Sequence, residues 1–329
     1  MISRDQETRV AVASRSFSRH PQLREELLSR FARVKFNDAG ESLAGDRLVA
    51  FLGGQERAII ALETVNDRLL AQLPELRVIS KYGVGLDNLD LAALSRHGVR
   101  LGWRAGVNSR SVAELVIALT IISLRHLRSA NEEVRAGQWR QHLGLDLRGR
   151  IVGIVGLGSV GKEVARLLRA FDCVVLAHDV LEMNDYCTEQ GITECGLDEL
   201  LARADIVTLH LPLDSSTKGM FDKTRLGLVK HGAVLINAAR GGIVDEAVVQ
   251  TMLESGHLAA AAFDVFGSEP PQCRELLNMP NFFATPHIGG SSAEAVLAMG
   301  RAAIDGLDTA VHPDIYADKR TVQTSGARS

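Results

Sequence analysis

Short apolar runs alternate with helical patterns through the first hundred residues. Arg9 to Ala13, Val34 to Phe36, Leu48 to Leu52 and Arg77 to Ser80 read as strands, and Gln22 to Ala32 and Thr64 to Leu73 as helices between them. That alternation is the sequence form of βαβ units and a parallel sheet. From Val107 a long helical pattern begins, with Asn108 and Ser109 as candidate caps, Ser111-Val-Ala-Glu114 as a candidate capping box, and an apolar face through Leu115, Leu119, Ile122 and Leu127. A polar bridge containing Gly137, Gly144 and Gly149 leads to a second series: Ile151 to Val155, Cys173 to Ala177, Ile206 to Leu211, Ala233 to Asn237 and Ala259 to Phe263. These strands suffice for one nucleotide-binding sheet. A final helix from about Ser291 to Leu307 is expected to cross back to the first domain, and the polar tail from Lys319 to Ser329 to be disordered.

The 329 residues, 46% hydrophobic, provide for two sizeable cores. A net charge of -3 with interspersed signs gives no basic stripe, so neither nucleic acid nor a membrane surface is an expected partner. The longest strongly apolar stretch, Leu115 to Leu124, is too short for a span of about 20 residues, and Met1-Ile-Ser-Arg-Asp-Gln6 lacks an apolar signal core. A cytoplasmic location is expected. Cys173, Cys187, Cys195 and Cys273 show no CxxC spacing, and the ten histidines form no HxxxH pair, so no metal is called for.

Gly156-Leu-Gly158-Ser159-Val160-Gly161 follows a strand pattern and opens a helix whose apolar positions include Val164, Leu167 and Leu168. In this context a GxGxxG run is a dinucleotide fingerprint: Gly156 for the sharp turn, Gly158 for approach of the pyrophosphate, Gly161 for close helix–strand packing. Uncapped N–H groups at the helix start favour the phosphates. Asp179 ends the next strand, about 20 residues on, where ribose hydroxyls are read. A carboxylate there repels a 2′-phosphate and Val180-Leu181-Glu182 supplies no arginine, so NAD is the expected cofactor.

Three later stretches carry candidate chemistry: Asn237-Ala-Ala-Arg240-Gly-Gly-Ile-Val-Asp245, Phe263-Asp264-Val-Phe-Gly-Ser-Glu269-Pro and Thr285-Pro-His287-Ile-Gly-Gly290. Arginine presents a planar fork that matches a carboxylate bidentately. Histidine changes charge nearest neutral pH and suits proton transfer, and a carboxylate on its other ring nitrogen fixes the tautomer and favours the imidazolium. With Ile79-Ser-Lys-Tyr-Gly-Val-Gly-Leu-Asp87-Asn88, Val107-Asn-Ser-Arg-Ser-Val-Ala-Glu114 and His210-Leu-Pro212, these motifs make the chain resemble the D-isomer-specific 2-hydroxyacid dehydrogenase family, in particular its D-3-phosphoglycerate dehydrogenase-like members. The resemblance covers nearly all of the chain.

The resemblance implies an α/β fold of two domains. A Rossmann-type doubly wound parallel sheet would bind NAD over residues 105–289, and a flavodoxin-like outer substrate domain would comprise 1–104 and 290–329, with the active site in the cleft between them. It implies Arg240, Glu269 and His287 as the catalytic trio, and Asp264 as the holder of the nicotinamide carboxamide. The cofactor set is completed by Gly156, Gly158, Ser159, Val160, Gly161, Asp179, His210, Pro212, Thr217, Ala238 and Gly290. Substrate is expected at Lys81, Tyr82, Gly83, Val84, Gly85 and Arg104, together with Arg240 and His287. Glu269 separates the chain from the formate dehydrogenase branch, which carries glutamine there. Where the family usually has a Thr-Pro-Gly-like step, this chain has Trp103-Arg104-Ala105-Gly106.

The expected activity is hydride transfer between NAD and C2 of a D-2-hydroxy or 2-keto acid. A substrate with a second anionic group, phosphate or phosphonate, is expected from Lys81 and Arg104. The alternative on the same fold is an NAD(H)-sensing interaction protein of the corepressor type. The helix after Val107 and the bridge with Trp139 point to a homodimer. The chain stops soon after the crossing helix, so no regulatory domain is expected.

Overall fold

The computed structural model describes residues 5–316, and the expectation for Lys319 to Ser329 falls outside them. The chain divides into two compact units, with boundaries after Asn108 and after Ser292.

In the first unit, β1 (Asp5–Val12), β2 (Phe31–Phe36), β3 (Arg57–Ile60), β4 (Val78–Lys81) and β5 (Arg100–Gly102) form one sheet in the order β2-β1-β3-β4-β5. All four pairings are parallel. Alternate strand residues feed two cores: Ala11, Ala58 and Ile60 on one face, Val10, Val12 and Ile59 on the other. This is the expected consequence of a period of two in a sheet covered on both sides. The helix Ala293–Thr309 packs on this sheet. The contact is close because both partners are glycines: a Cβ on Gly102 would lie 2.2 Å from the Gly306 oxygen. Ser80 Oγ donates to Ala303 O at 2.7 Å, and Arg57 Nη1 to Leu307 O at 2.7 Å.

Leu48 to Leu52, expected as a strand, lies in the helix Asp46–Leu52, and the strand of that region is β3. Leu48 and Leu52 are both fully buried while Ala50 is exposed, an i, i+4 pattern that a five-residue apolar run does not distinguish from a strand. Thr64 to Leu73 shrinks to one turn, Asp67–Leu70, capped by the Asn66 side chain.

The second unit opens with the helix Ser109–Leu124. Its buried side holds Val112, Val116, Leu119, Thr120 and Ser123, whereas Leu127 is 45% exposed. The pattern breaks at His126, whose φ of 51° ends one helix before the next, Leu127–Arg135, begins. Ser111 is no cap: it lies inside the helix and its hydroxyl donates to Gly289 O at 2.7 Å, while Glu114 pairs with Arg110.

Seven parallel strands follow: β6 (Ile151–Val155), β7 (Val174–His178), β8 (Thr193–Glu194), β9 (Ile206–Leu209), β10 (Ala233–Asn237), β11 (Leu258–Phe263) and β12 (Phe282–Ala284). Their order is β12-β11-β10-β9-β6-β7-β8. The direction of winding reverses between β6 and β9, the switch point at which open α/β sheets bind ligands beyond the carboxyl ends of their strands. β9 and β10 are buried along their whole length; Val234 and Ile236 enter one core and Leu235 the other. Sequence reading omitted β8 and β12, which have only two and three residues.

Candidate active site

The glycine turn sits at the end of β6 and leads into the helix Ser159–Ala170. Gly156 has a φ of 95°, and a Cβ there would lie 2.6 Å from the His210 oxygen. A Cβ on Gly161 would lie 2.1 Å from Gly156 O, whereas one on Gly158 would meet nothing within 4 Å. Two glycines therefore close the turn, and the third leaves its outer side open. No side chain caps the helix start, so its first N–H groups remain available to an anion.

Asp179, just beyond β7, braces this turn: Leu157 N–H donates to Oδ2 at 2.6 Å and Leu181 N–H to Oδ1 at 3.0 Å. Each oxygen keeps acceptor capacity for a hydroxyl. His210 follows β9, with Nε2 2.9 Å from the Thr208 hydroxyl and a buried Nδ1 that has no partner. Burial lowers its pKa to about 3, so the ring is neutral at neutral pH. The open glycine, the uncapped helix and the unpartnered His210 nitrogen together fit a dinucleotide. Thr217 holds the loop after β9: its hydroxyl donates to Pro212 O at 2.7 Å and accepts from Asp214 N–H at 2.9 Å. Pro212 lies in that loop. Ser159, Val160, Ala238 and Gly290 are all at least partly exposed.

Arg240, Glu269 and His287 follow β10, β11 and β12 at the same edge of the same sheet. Asn237, buried at the end of β10, shapes the first turn: its amide donates to Arg240 O at 3.1 Å, and its carbonyl accepts from Ala239 N–H at 3.1 Å. Arg240 is half-buried and donates from Nη1 to Ala239 O at 2.7 Å. A Cβ on Gly241 would lie 1.8 Å from Phe266 O, so the Arg240 turn rests directly on the backbone that leads to Glu269. Sequence reading quoted Asn237 and Gly241 within a motif but gave them no task. Only the fold reveals what each touches.

Glu269 and His287 meet, with Nδ1 2.9 Å from Oε2 and 3.1 Å from Oε1. Phe266 N–H also donates to Glu269 Oε1 at 3.2 Å. The histidine side chain is 48% exposed, so the carboxylate engages one ring nitrogen and leaves the other accessible. His287 has a φ of 54°, rare for a residue with a side chain, and the loop around it is held by buried Asp264. The Asp264 carboxylate accepts from the Thr285 hydroxyl at 2.5 Å and from the N–H groups of Ile288 and Gly289, both at 2.8 Å. Chemically, this edge offers a guanidinium, an imidazole backed by a carboxylate, and an anion-accepting turn.

Residues 117–289 match the model of the D-isomer specific 2-hydroxyacid dehydrogenase, NAD binding domain. The chain belongs to this family. Its second unit carries the family's dinucleotide-binding domain, and a nicotinamide dinucleotide is its cofactor. D-3-phosphoglycerate dehydrogenase of Bacillus subtilis (strain 168) is 39% identical over 235 residues, which are 71% of this chain and 45% of that relative. The chain spans about half the length of the D-3-phosphoglycerate dehydrogenases it matches. A glyoxylate reductase from Paecilomyes thermophila superposes with a TM-score of 0.83 at 27% identity, covering 92% of this chain and 95% of that one. The NADPH-dependent glyoxylate/hydroxypyruvate reductase of Sinorhizobium meliloti, solved with NADP and malonate, gives 0.78 at 28% identity over 93% of each chain.

In the first unit, Lys81 ends β4. Lys81 is buried to 6% exposure, and its ammonium donates to Asn88 Oδ1 at 2.7 Å and to Ala61 O. A short strand-end lysine looks like a free cation in sequence, but the Asn88 that engages it lies seven residues on, beyond the turn. The turn Tyr82-Gly83-Val84-Gly85 has Gly83 at a φ of 132° and Tyr82 buried. Arg104 is exposed. Among the described residues no group of three or more His, Cys, Asp or Glu side chains could hold a metal, and no helix is long and apolar enough to cross a membrane. All four cysteines are unpaired.

Proposed function

We propose that the protein is an NAD-dependent D-2-hydroxyacid dehydrogenase, interconverting a 2-hydroxy acid and its 2-keto acid. The observation that carries this reading is the His287–Glu269 pair at 2.9 Å, at the sheet edge that also bears Arg240 and the glycine turn. NAD, when bound, supplies the hydride acceptor at its nicotinamide ring. Gly156, Gly158 and Gly161 would admit its pyrophosphate, Asp179 would hold its ribose hydroxyls and Asp264 its carboxamide.

Arg240 clamps the substrate C1 carboxylate with its planar fork and polarises the adjacent C2 oxygen. In the reductive direction His287 delivers a proton to that oxygen; in the oxidative direction it removes the hydroxyl proton. Glu269 holds Nδ1, fixes the ring's tautomer and steadies the imidazolium once it forms. The backbone of Tyr82 to Gly85 contributes N–H groups to the substrate. The assignments of substrate binding to the first unit and dinucleotide binding to the second follow from these roles.

NAD is preferred over NADP because the Asp179 carboxylate occupies the turn where a 2′-phosphate would sit. The protein works as a homodimer built on the second unit. There Trp139 and Leu143 are 88% and 96% exposed, with Val134, Leu127 and Leu145 about half exposed beside them in sequence. Large apolar side chains so disposed call for a partner surface. NADH oxidation with a panel of 2-keto acids tests the catalytic reading; absence of turnover with every member contradicts it.

A further inference from the structure

Glu269 and His287 meet in space but stand 18 positions apart in the chain. The segment between them passes through the helix Arg274–Asn278 and then through β12. Where that segment lies therefore decides whether the carboxylate reaches Nδ1. Two sets of contacts fix it, one polar and one aromatic.

The polar set converges on a single side chain from another element. Arg128 stands in the first turn of the helix Leu127–Arg135, and its side chain is 24% exposed. From Nη1 it donates to Leu277 O and Met279 O, both at 3.0 Å, and to Phe282 O at 2.5 Å. The first two carbonyls lie at the end of the helix after Glu269, where main-chain oxygens lack helical partners, and the third opens β12. One guanidinium thus ties together the two elements that separate the catalytic residues. Its Nε donates to Glu132 Oε1 at 3.0 Å, which holds the fork in place, and the neighbouring Ser129 hydroxyl donates to Pro280 O at 3.2 Å.

The aromatic set carries that position to the site. The Phe282 ring is buried and meets Phe263 and Phe266 with centroids 5.3 and 6.4 Å away. Ring pairs at such distances hold a preferred geometry. Phe263 directly precedes Asp264. Phe266 gives its N–H to Glu269 Oε1, and its carbonyl supports the Gly241 turn that follows Arg240. A shift of Phe282 is therefore felt at Glu269 through the rings, and at His287 through β12.

We propose that Arg128 is a positioning residue for the proton-transfer pair: by pinning the segment 277–282 it keeps Glu269 on Nδ1 of His287. The catalytic consequence rests on the dehydrogenase reading, but the pairing itself can be observed without turnover. Misplacement of a catalytic group by about 1 Å can cost about 10²-fold in rate. A neutral imidazole whose Nδ1 faces a carboxylate carries its proton on that nitrogen.

Nitrogen NMR of isotope-labelled protein at about pH 9, where imidazoles are neutral, reports which ring nitrogen holds the proton. The His287 signal is identified by its loss in His287→Ala. Wild type should show the Nδ1–H tautomer. Arg128→Met should move His287 toward the Nε2–H tautomer and lower kcat by roughly 10- to 100-fold, while KM for NADH changes by less than about twofold. Arg128→Lys, whose ammonium has three donors for the same carbonyls, should recover part of both. Thermal melts check folding, and Arg128→Gln, with a smaller change in the same direction, serves if the methionine variant does not fold. Arg150→Met is the control for stability alone: Arg150 lies just before β6, at the amino end of the sheet, and donates to Asp146 O at 3.1 Å. Its loss should move neither tautomer nor kcat. The wild-type tautomer or the wild-type kcat in a folded Arg128→Met or Arg128→Gln overturns the proposal, as does an equal effect in Arg150→Met. If wild type reduces no 2-keto acid, the dehydrogenase reading fails and the tautomer alone decides the role of Arg128. Wild-type turnover with an indifferent Arg128→Met sinks only this inference.

Discussion

The main-chain carbonyl of Asp264 accepts a hydrogen bond from the main-chain N–H of His287 at 2.9 Å, so the residue that ends β11 positions the loop that follows β12. The carboxylate of the same aspartate fastens Thr285 before the histidine and Ile288 and Gly289 after it. A histidine at positive φ is costly by about 1 kcal/mol or more, and this network holds it there.

Asp264→Asn should therefore damage turnover more than binding. An amide in place of Oδ2 would turn a donor toward the Gly289 N–H, leaving two donors face to face. We expect kcat to fall by roughly 10- to 100-fold, in line with about 1–3 kcal/mol for a lost charge-assisted bond, and the melting temperature to fall by a few degrees as the buried donors lose their acceptor. Steady-state kinetics and a thermal melt decide it, and an unaltered kcat would show that the loop holds without the carboxylate.

Sequence patterning located the second sheet well because its strands are continuous apolar runs and its turn glycines have no substitutes. Ile151 to Val155 and Ala233 to Asn237 match the structure residue for residue. Leu48 to Leu52 failed because five apolar residues are too few to separate a period of 2 from one of 3.6. The motif residues Arg240, Glu269 and His287 were legible by type. The supports of the site were not, because Asn237, Gly241 and Asp264 act through contacts with residues distant in the chain. The contacts of Lys81 with Asn88 and Ala61 were hidden for the same reason.

Cofactor choice rests on Asp179, whose two oxygens each take one N–H from the surrounding turn. Wild type should use NAD at least roughly tenfold more efficiently than NADP. Asp179→Ser should narrow that ratio while retaining activity. Equal kcat/KM for the two cofactors in wild type would refute the ribose assignment.

Stability should fall on the acid side through His210. In the folded protein its pKa is lowered to about 3 by burial, against about 6.5 in an unfolded chain. Between those values the unfolded state binds the proton and the folded state does not, so stability declines as pH drops below about 6.5, with a slope of up to ~1.4 kcal/mol per pH unit. His210→Gln should flatten this dependence. Urea unfolding at about pH 7 and about pH 4.5 measures it, and equal losses in wild type and variant would remove His210 as a source.

The exposed Trp139 and Leu143 predict the assembly. Light scattering at micromolar concentration should give a dimer mass for wild type, and Trp139→Ser with Leu143→Ser should shift it toward the monomer. A wild-type monomer, or a double variant as dimeric as wild type, would place the interface elsewhere or abolish it.

The most direct test of the account is turnover and NADH binding measured side by side in wild type and His287→Ala, with pyruvate, phosphonopyruvate, 3-phosphohydroxypyruvate and oxaloacetate as substrates. Wild type should oxidise NADH with at least one of them. His287→Ala should lose about 10²- to 10⁴-fold in kcat, the usual contribution of a positioned acid or base, while its NADH affinity, read by cofactor fluorescence, stays within about twofold. Near-normal turnover in His287→Ala, or no 2-keto acid reduced by wild type, would contradict the account.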